Sequence, residues 1–231
     1  MIAALLGAVQ FLTVIPIQAR TSQSALFFPL VGGAIGVAGA VLYNLTGSSV
    51  AVLVFWALLT GGLHEDGFAD VFDAFRAARP PERIHAILKD SRIGAHGALA
   101  LIFSTLIRWQ ALSGISADAI PALAAAQALP RAALVLLAWI APPAGNGLGR
   151  AFSQSLTTPV AIAAIGQGSL FAAACGWKLG LLLTAGTAAI VLLARSYFTS
   201  RIGGVTGDCL GATAHIVETY CLVIFTCRNC I

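Results

Sequence analysis

The stretch LFFPLVGGAIGVAGAVLYNLT, residues 26–46, contains no charged residue over the length an α-helix needs to cross the hydrocarbon core of a bilayer. Such a helix has no polar face to turn toward water, so lipid or other helices must surround it. Comparable runs recur at 2–17, 50–64, 98–116, 119–141, 160–176, 178–195 and 215–227. The 231 residues are 58% hydrophobic and 10% charged, with a mean hydropathy of +0.90, which leaves too little polar surface to coat a water-facing globule. The fold class expected is all-α: a polytopic integral membrane helical bundle with about six to eight membrane segments. The runs at 50–64 and 215–227 are short enough to be half-spans or interfacial helices. No linker is long enough for a second soluble domain and no repeat of fixed period is present, so residues 1–231 read as one membrane-embedded domain. The apolar start, without a basic leader segment, reads as a retained membrane segment.

Gly47-Ser48-Ser49 and Gly176-Trp177-Lys178 make tight turns between consecutive runs, which predicts antiparallel hairpins there. The small residues of Gly32-Gly33-Ala34-Ile35-Gly36-Val37-Ala38-Gly39 predict close helix contacts, because lipid supplies no hydrophobic drive between helices. Threading the runs alternately puts linkers 18–25, 65–97, 142–159 and 196–214 on one face. That face receives Arg20, Arg76, Arg79, Arg83, Lys89, Arg92, Arg150 and Arg201, and the other receives Lys178 and Arg228. The asymmetry predicts that the four linkers are cytoplasmic. The net charge of +4 thus belongs to loops, and without a basic stripe interleaved with aromatics no nucleic-acid partner is expected. Cys175, Cys209, Cys221, Cys227 and Cys230 are scattered and read as small apolar fillers.

The chain has nine acidic residues, and four of them, Glu65, Asp66, Asp70 and Asp73, fall within residues 65–73. If the third apolar run continues as a helix to Phe75, the i, i+4, i+7 spacing puts Asp66, Asp70 and Asp73 on one stripe within about 60° around the axis. Stacked carboxylates repel unless a cation lies between them, and hard oxygen ligands select Mg²⁺, Mn²⁺ or Ca²⁺. The alternative is a solvated helix end neutralised by Arg76 and Arg79. His64 either caps this helix, ligates metal or moves a proton.

Lys89-Asp90-Ser91-Arg92-Ile93-Gly94-Ala95-His96-Gly97 follows, where cations and glycine backbone N–H groups can hold phosphate oxygens at a helix start or simply mark the membrane interface. The third polar unit, Gly203-Gly204-Val205-Thr206-Gly207-Asp208, permits close backbone approach to a ligand or forms a turn. Arg108 and Arg131, inside predicted spans, either snorkel or face an internal cavity, the cavity being preferred for Arg131. Metal-binding acids, phosphate-binding bases and glycine loops on one face suggest phosphoryl chemistry on a diphosphate.

These units, Gly61-Gly62-Leu63-His64-Glu65-Asp66-Gly67-Phe68-Ala69-Asp70 with Asp73, Lys89 to Gly94 with Gly97, and Gly203 to Asp208 with Leu210-Gly211-Ala212, resemble the cobalamin synthase family. Phe11-Leu12-Thr13, Ile15-Pro16, Phe28-Pro29-Leu30-Val31-Gly32, Arg131 and Gly147-Leu148-Gly149 extend the resemblance over nearly the whole chain. The resemblance implies a multi-pass enzyme of the bacterial inner membrane, active at the cytoplasmic face and dependent on Mg²⁺. It joins adenosylcobinamide-GDP to α-ribazole, or its 5′-phosphate, and releases GMP late in vitamin B12 synthesis. Asp66, Asp70, Asp73 and Asp208 are the implied metal ligands, Lys89, Arg92, Arg131 and Thr206 the substrate contacts, and Asp73 or His64 the base. Homo-oligomers and association with other late B12 enzymes fit the same reading.

The chain departs from the family pattern at Val14, where an arginine is usual, at Glu65, commonly apolar, at His215, in place of an acid, and at Pro142 to Asn146. These changes spare the acidic motif and bear on secondary substrate contacts. Two other classes compete. CDP-alcohol phosphotransferases need Asp-Gly-x-x-Ala-Arg, which Asp66-Gly67-Phe68-Ala69-Asp70 does not supply, and an ion-coupled transporter would hold its ionisable groups near the midplane.

Overall fold

The computed structural model describes residues 1–17, 19, 23–76, 80–115, 119–145 and 147–227; Arg20, Arg79, Arg228 and Cys230 of the sequence reading lie outside them. The described residues form helices joined by short links, with an isolated parallel bridge between Pro143 and Val205 as their only β pairing. In chain order the helices are α1 (Ile2–Leu12), a 3₁₀ turn (Ser24–Phe27), α2 (Phe28–Thr46), α3 (Ser49–Thr60), α4 (Leu63–Ala74), α5 (Pro81–Ile87) and α6 (Ala95–Ser113). Then follow α7 (Ala119–Ile140), α8 (Leu148–Ser155), α9 (Thr158–Ala173), α10 (Trp177–Ile202) and α11 (Gly207–Thr226). Every apolar run of the sequence falls on these helices, that at 50–64 being split between α3 and α4 and that at 2–17 reaching past the end of α1.

Four segments are long and apolar enough to cross a bilayer: Ser24–Thr46, Ala119–Ile140, Trp177–Ile202 and Gly207–Thr226. The pair Gly149–Ser155 and Thr158–Ala173, bent by 102°, makes a fifth if it counts as one span. α1 and α3 are apolar but shorter. That fits the half-span expected at 50–64, whereas the run at 215–227, expected to be equally short, belongs to a helix of full spanning length because α11 begins at Gly207. The chain is thus a multi-pass helical membrane protein.

α7 is the central post, buried from Ala122 through Val135 without interruption. Its alanines give neighbouring helices a nearly smooth surface, and α2 uses it most closely. A Cβ on Gly32 would lie 2.4 Å from the Gln127 carbonyl oxygen, and one on Gly36 2.1 Å from that of Leu123. The other side of the same glycine run takes aromatic rings: Gly33 meets Phe171 of α9, and Gly39 meets Trp56 of α3, whose indole Nε1 donates to the Ile35 carbonyl at 3.2 Å. One small-residue segment therefore packs against three helices.

The acidic helix is not a continuation of α3. Gly61 and Gly62 both adopt left-handed φ, 64° and 68°, and break the chain into α3 and α4. This corrects the continuous-helix expectation while leaving the three carboxylates together on α4. The break frees α4 to cross α11, and Gly67 makes the crossing close: a Cβ there would lie 2.9 Å from the Asp208 carbonyl oxygen.

Candidate active site

The crossing of α4 and α11 brings the first acidic cluster beside the later glycine-rich unit. Thr206 is the N-cap of α11; its hydroxyl accepts from the Cys209 N–H and lies 3.2 Å from Asp208 Oδ2, to which it donates. Asp208 in the first turn complements the positive end of that helix. Asp70 feels the result most. Burial, followed by the charges of Asp66, Asp208 and Asp73, pushes its carboxyl up to about 6. Four carboxylates thus share one field, the donor chemistry a hard cation requires. Among the described residues no three acidic, histidine or cysteine side chains converge tightly enough to enclose an ion.

Asp73 already has a structural occupation. Its carboxylate accepts from the backbone N–H of Gly94 at 2.7 Å and of Gly97 at 2.9 Å, the N-cap and third residue of α6. A Cβ on either glycine would approach an Asp73 carboxylate oxygen to 2.4 Å. The glycines read from sequence as a phosphate cradle therefore cradle a carboxylate of the same chain. A helix N-terminus attracts any anion, and here α4 delivers one.

Two cavities meet at α4. One, of about 560 Å³, is lined by Thr60, Glu65, Asp66, Asp70, Ser91 and Ile93 among others. The second, of about 910 Å³, draws its wall from all four linkers placed on one face by the threading, with His64, Asp66, Lys89, Arg150, Thr206 and Asp208 among its residues. Asp66 lines both. The structure thus brings Asp66, Asp70, Asp208, Thr206, His64 and Lys89 together. It does not bring the two arginines there. Arg92 is exposed and pairs with Asp90 at 2.6 Å, and its hydrogen bonds hold that carboxyl down at about 2. Arg131 is buried in α7, where its guanidinium bonds the Gln127 side chain and lies 3.8 Å from Glu218.

Behind the acidic face runs an ionic network that the motifs did not reveal. Arg108 of α6 bonds Glu65 at 3.0 Å and Glu218 at 2.5 Å, so it neither snorkels nor lines either cavity; it joins α4, α6 and α11. His215 lies 4.0 Å from Glu65, with its Nε2 against the Ser104 hydroxyl. Two of the departures from the family pattern are therefore neighbours. The sequence signal was the pair of intramembrane arginines, which had to find carboxylates in a chain with few of them.

The cobalamin-5-phosphate synthase family profile matches residues 4–226. Adenosylcobinamide-GDP ribazoletransferase of Ralstonia pickettii is 37% identical over 93% of this chain and 91% of its own length. The enzymes of that name from Azorhizobium caulinodans and Ralstonia nicotianae are 36% and 34% identical, over 92% and 91% of this chain and 90% of their own lengths in each case. No solved structure matches.

Proposed function

The chain belongs to the cobalamin-5-phosphate synthase family, and from that premise we infer that it is an adenosylcobinamide-GDP ribazoletransferase working in a bacterial inner membrane, its site at the cytoplasmic face. The attacking group is a ribose hydroxyl of α-ribazole that is free in its 5′-phosphate as well, and so is not the 5′ oxygen: it attacks the phosphorus nearer cobinamide. The new P–O bond forms as the bond to GMP breaks, and the hydroxyl proton leaves to a base. The observation that carries this reading is the position of Asp66 at the junction of two cavities, since a two-substrate transfer needs its reactants to meet at one point.

Mg²⁺ is the proposed cofactor, with Asp66, Asp70 and Asp208 as its ligands. Bound there, it would offset charge on the diphosphate oxygens and on departing GMP. The residues of the chain do the rest. Lys89 at the rim of the larger cavity is placed to attract the diphosphate, and Thr206 orients Asp208. Asp73, whose two oxygens already accept N–H groups, acts by fixing α6 against α4. His64 remains a candidate for the proton, since it lines the larger cavity and its Nε2 has no hydrogen-bond partner among the described residues. Burial and the Arg131 charge push its imidazole down to about 3, so it takes a proton only with the negative charge of the substrate beside it.

The test is GMP release by the full chain in liposomes given adenosylcobinamide-GDP, α-ribazole and Mg²⁺. EDTA and Asp66→Ala should each abolish it, Asp66→Ala by at least about 10³-fold if the carboxylate acts on the transferred phosphoryl group. A folded parent that forms no GMP would exclude the transferase.

A further inference from the structure

The larger cavity has a feature that neither the acids nor the cations explain. Phe11 at the end of α1, Phe28 in the first turn of α2 and Phe152 on α8 gather in one cluster on its wall. Their ring centroids lie 5.0, 5.8 and 5.5 Å apart and their planes within 22°, 21° and 4° of one another. Phe28 is buried, at 1% exposure, whereas Phe11 is 41% exposed and Phe152 half-buried. A buried ring stacked with two more accessible, nearly parallel ones makes an aromatic stack whose open ring suits another planar ring. Beside it lie Gly7, Ala25 and Leu134, and the polar side chains of the same wall include Gln10, Ser24 and Ser155, of which Gln10 already accepts the Ala19 N–H at 3.0 Å through Oε1.

We propose that this aromatic wall is the subsite for the benzimidazole ring of α-ribazole, with the riboside reaching toward Asp66 and the transferred phosphorus. The inference rests on the transferase reading and assigns one of its two substrates to one of the two cavities. Three arguments select the occupant. A benzimidazole presents two faces and a hydrocarbon edge, which stacking and apolar contact satisfy. Guanine instead presents an edge with several donors and acceptors, more than Ser24, Ser155 and a Gln10 whose oxygen is already taken can pair. A volume of about 910 Å³ suits a whole small ligand, whereas a corrinoid joined to a nucleotide exceeds it. And the two cavities share Phe11, Leu63 and Asp66, so a riboside stacked on Phe11 is continuous with the acidic cavity.

The experiment uses the full chain in detergent, with equilibrium dialysis of α-ribazole and of GDP as separate probes, and steady-state GMP release in parallel. Phe152→Ala should weaken α-ribazole binding and raise its KM about tenfold, the loss expected for one stacked ring face. The KM for adenosylcobinamide-GDP should stay unchanged, and Phe152→Trp should retain α-ribazole binding. Parent-like α-ribazole binding and KM in folded Phe152→Ala would overturn the assignment, as would a loss of GDP binding in its place, which would give the wall to guanine. If Phe152→Ala does not fold, Phe152→Leu keeps the volume and removes the ring, and the same two outcomes decide. A folded parent that releases no GMP from adenosylcobinamide-GDP would instead remove the transferase reading on which the assignment stands.

Discussion

Glu65 and His215 show how one position can answer for another. Where the family resemblance leads one to expect an apolar residue on α4 and an acid on α11, this chain has a carboxylate on α4 and an imidazole on α11, 4.0 Å apart. Arg108 still meets two carboxylates, Glu65 and Glu218, and the carboxylate has in effect changed helices. Glu65→Leu should therefore destabilise the protein by about 2 kcal/mol, because it leaves Arg108 with one partner in a buried setting. Combining it with His215→Asp should recover at least half, a coupling that thermal unfolding in detergent would measure as a double-mutant cycle. Strictly additive losses would show that the two positions are independent. Asp70 supports a second test at this scale. Its folded pKa of about 6 exceeds the roughly 3.9 of an unfolded aspartate, so the folded protein binds the extra proton between those values. Stability in metal-free buffer should therefore rise as pH falls from above 6 toward 4. Asp70→Asn should flatten that slope and stabilise the protein at pH 8 by about 1 kcal/mol once solvent screening is allowed for. The acidic residues were legible from sequence because their spacing is helical and charge is sparse. The ion pairs were not, because they join residues as far apart as Glu65, Arg108 and Glu218, which only tertiary packing brings together.

At the scale of elements, the link between α4 and α6 decides whether the site exists. Asp73 accepts from Gly94 and Gly97, and both glycines leave room for its carboxylate at 2.4 Å from a hypothetical Cβ. Gly97→Ala should push α4 and α6 apart, cost about 2 kcal/mol by losing the charged cap and overpacking the contact, and abolish GMP release. Asp73→Asn keeps one acceptor oxygen and should lose less than Gly97→Ala, about 1 kcal/mol. Turnover abolished in Asp73→Asn at near-parent stability would make Asp73 a ligand first and a cap second. The sequence placed acids and glycines correctly as helix-end features, yet it could not say which anion the α6 N-terminus holds. A phosphate and an aspartate satisfy the same N–H groups, and the choice depends on the α4 approach set by the break at Gly61 and Gly62.

For the whole molecule, the eight apolar runs were readable because lipid imposes length and hydropathy on each span separately, with no need of tertiary information. Their convergence was implied by charge alone: linkers 18–25, 65–97, 142–159 and 196–214, grouped by their basic residues, all contribute to the cavity of about 910 Å³. Helices joined by links as short as Gly47-Ser48 and Ala174 to Gly176 must run antiparallel, which sends the opposite ends of those hairpins away from that cavity. The alternate threading predicts a sidedness that can be checked without any substrate. In a chain whose five cysteines are replaced, Arg83→Cys on α5 and Gln154→Cys on α8 should react with a membrane-impermeant maleimide only from the cytoplasmic side of oriented vesicles. Lys178→Cys at the start of α10 should react only from the other side. Arg83, Gln154 and Lys178 are all exposed, so an unreactive thiol reports its side of the membrane and not burial in the protein. Labelling of all three from one side would break the alternate threading and, with it, the argument that the linkers share a face. Labelling as expected but with Arg83 and Gln154 outside would keep the bundle and invert it, placing the cavity where nucleotide-activated substrates are not found.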